Sequence, residues 1–122
     1  MSNRLEDLEV FKLSEQLANE IWDIVISWNY FEKDTIEKQL VRSADSISAN
    51  IAEGFGRFHY KENKNFCYFS RGSLIETKTW LNKAHLRTLL SDEKHTALIK
   101  QLELIHIKLN AYIKYIGKMT ND

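Results

Sequence analysis

Proline is absent from all 122 residues. At an ordinary frequency of about 5% roughly six would occur, so nothing in this chain obliges a helix to break. Glycine is scarce as well, with four residues. One cysteine, Cys67, excludes an intrachain disulfide and a multi-cysteine zinc site. As a lone thiol without a Cys-His spacing, it reads as a small buried residue and not as a nucleophile. Long apolar runs are missing, since none approaches the roughly 20 residues that span a bilayer. The start, Met1-Ser2-Asn3-Arg4-Leu5-Glu6-Asp7, is charged and holds no apolar core of signal-peptide length. The expectation is a soluble, cytoplasmic protein. Net charge is lacking too: seventeen Lys and Arg balance seventeen Asp and Glu. Any polyanion would therefore have to be held by a local patch.

The charge is unevenly spread. Residues 1–34 carry three basic and eight acidic residues, a net of −5, whereas residues 61–90 carry six and two, a net of +4. The length suits one domain over residues 1–122. Apolar spacing predicts four amphipathic helices. In the first, over about 6–28, Val10, Ser14, Leu17, Ile21, Ile24 and Trp28 form a seam, widened by Phe11, Ala18, Trp22 and Val25. Asp34 and Glu37 offer a capping pair for the second, over about 35–53 along Ile36, Leu40, Ala44, Ile47 and Ile51. Gly54 can end it by taking a left-handed conformation.

The third helix, over about 61–90, mixes bulky Phe66, Phe69, Leu74, Ile75, Trp80, Leu81 and Leu86 with small Ser70, Gly72, Ser73, Thr77 and Ala84. Glycine inside a helix costs about 1 kcal/mol relative to alanine, and close approach of another backbone at Gly72 is the expected compensation. Ser91 and Asp92 offer an N-cap for the fourth, over about 93–116, which follows Leu98, Leu102, Ile105, Leu109, Tyr112 and Ile116. With short connections and no alternating strand pattern, the fold class is all-α, an antiparallel up-down-up-down four-helix bundle.

Such a bundle raises the question of a di-iron carboxylate site, which needs two Glu-x-x-His pairs. Glu103 and His106 make one pair, on the flank of the core seam, and there is no second. His59, His85 and His95 show no ligand spacing. With no Gly-rich phosphate loop or serine-hydrolase elbow present, no metal, cofactor or enzymatic reaction is expected.

Two polar groups stand out. Asn50 and Glu53 would meet Arg71 and Glu76 if the second and third helices fold back tightly, and a buried network of this kind would lock the hairpin. Beyond it, Arg57, His59 and Lys61 alternate with Phe58 and Tyr60 and continue into Lys64 and Tyr68. Cations beside aromatic rings suit phosphate pairing and base stacking on nucleic acid. They equally suit a protein interface or an amphipathic surface.

Three stretches resemble the four-helix-bundle family of proteins encoded in intervening sequences of bacterial 23S rRNA genes. They are Asp7-Leu8-Glu9-Val10-Phe11, the segment from Leu40 to Ile47 continuing through Asn50-Ile51-Ala52-Glu53-Gly54, and Arg71-Gly72-Ser73-Leu74-Ile75-Glu76. The family usually carries proline where Ser48 stands, and often a serine-type cap where this chain has Tyr60. The resemblance implies a homo-oligomer, a pentamer around a central channel, without enzymatic activity. A related branch, the accessory variability determinants of diversity-generating retroelements, binds nucleic acid and a reverse transcriptase. Residues and resemblance together lead to the expectation of a non-catalytic, homo-oligomeric scaffold contacting RNA or a nucleic-acid enzyme, with a purely protein-binding structural module as the alternative.

Overall fold

The computed structural model describes residues 4–119; residues 1–3 and 120–122 of the expected 1–122 domain lie outside the described residues. Four long helices build it: α1 (Glu9–Val25), α2 (Lys38–Phe55), α3 (Tyr60–Leu86) and α4 (Asp92–Gly117). No strand occurs among the described residues. Each helix packs against its sequence neighbours, and α4 closes the bundle against α1. The architecture is the antiparallel four-helix bundle that the apolar spacing predicts.

The core follows the seams of three helices closely. Val10, Leu17, Ile21 and Val25 of α1, Leu40, Ala44, Ile47 and Ile51 of α2, and Leu98, Leu102, Ile105, Leu109 and Ile116 of α4 are all buried. Ile24, Trp28 and Tyr112 pack on its margin. Trp22, expected to widen the α1 stripe, is exposed.

Helix α3 departs from expectation. Its buried stripe is Asn63, Cys67, Ser70, Leu74, Thr77, Leu81 and Ala84, at alternating spacings of four and three. Phe69, Ile75 and Leu86, which look like core residues in the sequence, are exposed. The reason is the closeness of α2. Ser70 Oγ donates to the Ile47 carbonyl at 2.8 Å, and Thr77 Oγ1 donates to Ser43 Oγ at 3.0 Å. Small residues on this face admit the neighbouring backbone, and their hydroxyls are satisfied across the contact.

The helix ends also differ. Residues 5–7 form a separate 3-10 turn before α1, which stops at Val25. A short turn at Tyr30–Glu32 and a π-turn at Lys33–Glu37 lead into α2. The expected Asp34–Glu37 capping pair does not form: Asp34 pairs with Lys38 at 2.8 Å, and Glu37 makes no side-chain cap. Helix α2 runs past Gly54, which has a negative φ, to Phe55. Helix α3 ends at Leu86, earlier than its sequence pattern suggests. Leu89 N–H donates to the Ala84 carbonyl and Thr88 N–H to the His85 carbonyl, with Thr88 at φ 63°, which is a Schellman stop built on threonine. Ser91 does cap α4, accepting the Lys94 N–H at 3.1 Å.

Candidate functional site

The end of the bundle at the α2–α3 turn gathers the start of α1, the end of α2, the start of α3 and the end of α4, as the antiparallel order requires. The close approach expected at Gly72 occurs here, at Gly54. A Cβ on Gly54 would stand 2.6 Å from Asn63 Oδ1, 2.9 Å from the Asn63 carbonyl oxygen and 2.9 Å from Phe66 Cβ. The glycine of the Asn-Ile-Ala-Glu-Gly segment is therefore what lets α3 cross against α2. Gly72 has nothing within 4 Å of its Cβ position. It faces outward among exposed Tyr68, Phe69 and Ile75.

The expected network of Asn50, Glu53, Arg71 and Glu76 does not assemble. Asn50 Nδ2 donates to the Ser46 carbonyl of its own helix at 2.8 Å. Glu53 is exposed and lies 3.7 Å from Arg57. Arg71 Nη1 donates to Asn110 Oδ1 on α4 at 2.9 Å, with its guanidinium over the Tyr68 ring at 5.1 Å. Glu76 accepts from Trp80 Nε1 at 3.2 Å and pairs with Arg42. Register between helices decides these partners, and spacing within one helix does not encode it. Arg42, which its spacing does not single out, lies on the α2 face towards α3 and so meets Glu76.

In the aromatic and basic stretch, Arg57 is largely engaged. Its two terminal nitrogens lie 3.7 Å from Glu53 and 3.7 Å from Glu62, and its guanidinium stands 4.8 Å above the Phe66 ring. Phe58 is 89% exposed, and its ring meets His59 edge-on at 4.9 Å. Tyr60 and Lys61 are exposed at the start of α3. The Lys64 ammonium lies 3.7 Å from the Cβ position of Gly117, beside the C-terminal end of α4, where a cation complements the helix dipole.

Nucleophile and metal chemistry find little support in these placements. Cys67 has no exposed surface, and burial pushes its thiol up to about 12, so the thiolate is not available near neutrality. Glu103 is exposed and His106 half-buried. No group of three or more His, Cys, Asp or Glu with metal-holding geometry occurs among the described residues. No helix among them is long and apolar enough to cross a membrane.

At the opposite end, His85 and His95 stack with centroids 4.1 Å apart and planes within 8°. His85 Nε2 lies 2.6 Å from Asp92 Oδ1, and His95 Nε2 lies 2.7 Å from Asn82 Oδ1. These contacts tie the α3–α4 turn together. Desolvation, then the neighbouring His85, lowers the His95 pKa, with Asp92 opposing.

A close-packed antiparallel four-helix bundle with bulky apolar residues turned outward defines an all-α helical-bundle protein. Within that class the chain belongs to the 23S rRNA-intervening sequence protein family, whose sequence model matches residues 6–111. The fold is shared with a crystal structure from Bacteroides thetaiotaomicron VPI-5482, described as a protein with unknown function from the S23 ribosomal protein family. The two are 24% identical, with a TM-score of 0.80, over 86% of this chain and 95% of that one. No curated protein matches the chain.

Proposed function

We propose that this protein is a non-catalytic helical scaffold that assembles with further copies of itself and contacts RNA, or an enzyme acting on nucleic acid. The observation that carries the proposal is the outer face of α3, where Tyr68, Phe69 and Ile75 surround a glycine with nothing near its Cβ position. An exposed apolar face around a mid-helix glycine suits close packing of a second surface. The basic excess of residues 61–90 supports the nucleic-acid part. Light scattering should give a mass well above the 14.4 kDa of one chain, with five copies as the number the family resemblance implies. Gly72→Glu should return it towards one chain. A clean wild-type monomer at micromolar concentration would overturn the assembly. RNA affinity should fall as salt rises; salt-independent binding, or none at low salt, would overturn the RNA contact.

The pairing of Arg57 with Glu53 and Glu62 favours a second reading, a purely protein-binding structural module. A pull-down after nuclease treatment that recovers one protein stoichiometrically would select it.

A further inference from the structure

We infer, building on the RNA contact proposed above, that the end of the bundle at the α2–α3 turn receives one unstacked nucleobase of single-stranded RNA. Three helices bring rings to this end: Phe55 and Phe58 at the end of α2 and its turn, Tyr60 at the start of α3, and Tyr112 and Tyr115 on α4. Together with Asn63 they line a cavity of about 400 Å³, within the size range of small-molecule sites. The rings are accessible as well as near, for Phe58 is 89% and Tyr115 52% exposed.

The polar groups define what enters. Asn63 is buried, and its Nδ2 donates to the Tyr112 hydroxyl at 3.3 Å. The hydroxyl accepts this bond, so its own proton remains available to a further acceptor in the cavity. Desolvation raises the Tyr112 pKa, with Asn63 opposing, so this proton is retained at neutral pH. A flat ring with carbonyl or ring-nitrogen acceptors at its edge satisfies both features: its faces stack on the aromatic walls and its edge accepts from Tyr112. An aliphatic side chain would fill the space and leave the half-buried Tyr112 hydroxyl without an acceptor. The flanking phosphates would find Lys61 and Lys118, both exposed at this end. Arg57, held by Glu53 and Glu62, would serve as part of the wall.

The test is a fluorescence-anisotropy titration of a labelled single-stranded oligoribonucleotide at several salt concentrations, with particle mass followed by light scattering. Phe58→Ala and Tyr115→Ala, at exposed positions, should each weaken binding about tenfold while leaving the mass and the salt slope unchanged, because no charge is removed. Tyr112→Phe keeps the ring but removes the acceptor of buried Asn63 Nδ2, so it should weaken binding several-fold and also lower the melting temperature by a few degrees. Lys61→Ala should instead reduce the salt slope. If the aromatic variants bind like the wild type while Lys61→Ala weakens binding, the base site is overturned and the RNA contact stands. Unchanged RNA binding with a lowered particle mass would make this end a protein contact and overturn the inference. Absence of wild-type RNA binding at low salt would overturn both.

Discussion

Gly54 and Gly72 show how one residue type acts in opposite ways on neighbouring helices. Replacing Gly54 by alanine would press a methyl group against the Asn63 carbonyl and Phe66 Cβ, each 2.9 Å away. These atoms belong to α3 and cannot swing aside, so the overpacking cost of about 1–3 kcal/mol outweighs the gain in helix propensity. Gly54→Ala should lower stability by about 1 kcal/mol or more in urea unfolding. Gly72→Ala meets open space and should raise it by up to about 1 kcal/mol under monomeric conditions. The sequence singled out both glycines but assigned them the wrong tasks: a left-handed stop for Gly54 and close approach for Gly72. Composition marks where a side chain is missing, and only the neighbouring helix says why. Glu53 likewise proves exposed, so Glu53→Ala should change stability by less than about 0.5 kcal/mol.

At the level of single helices, the seams of α1, α2 and α4 were legible because large apolar residues recur at 3.6-residue spacing, and most of them end inside, with Ile24, Trp28 and Tyr112 on the margin. Helix α3 was not, because bulky residues occur on several of its faces and its buried stripe is mostly small or polar. The residues that let α2 come close have weak hydrophobic signatures, while Phe69 and Ile75 have strong ones. The stop of α3 was hidden for a related reason. Its left-handed position is filled by Thr88, a β-branched residue that is disfavoured there, where glycine would have announced the boundary. Thr88→Gly should stabilise the chain by about 1 kcal/mol, read as a higher denaturant midpoint at unchanged m-value. A loss of stability would mean that the threonine side chain contributes more than its backbone costs.

For the whole molecule, the bundle and the family were readable in the sequence, but the pairing of polar side chains between helices was not. That pairing depends on how far one helix slides along another, a quantity absent from any one segment. The His85–His95 stack is an example, joining residues from α3 and α4 that show no common spacing. Its consequence is a pH dependence of stability. His95 binds its proton less readily in the fold than in the unfolded chain, where the pKa is about 6.5. Below that value the unfolded state therefore holds more protons, and stability falls as pH drops towards and through the depressed native pKa. Thermal melts should show this decline on acidification, and His95→Gln should flatten it. An unchanged slope in the variant would assign the decline to other groups.

The division of labour on α3 reaches beyond one molecule. Its small inward residues hold the fold, whereas Tyr68, Phe69 and Ile75 lie outside the buried core. Lineages of this fold can therefore rewrite the outward surface while keeping the interior fixed. If copies or partners bind through this surface as proposed, two descendants of one ancestor could retain the same bundle and cease to recognise each other's, so divergence in association would run ahead of divergence in structure.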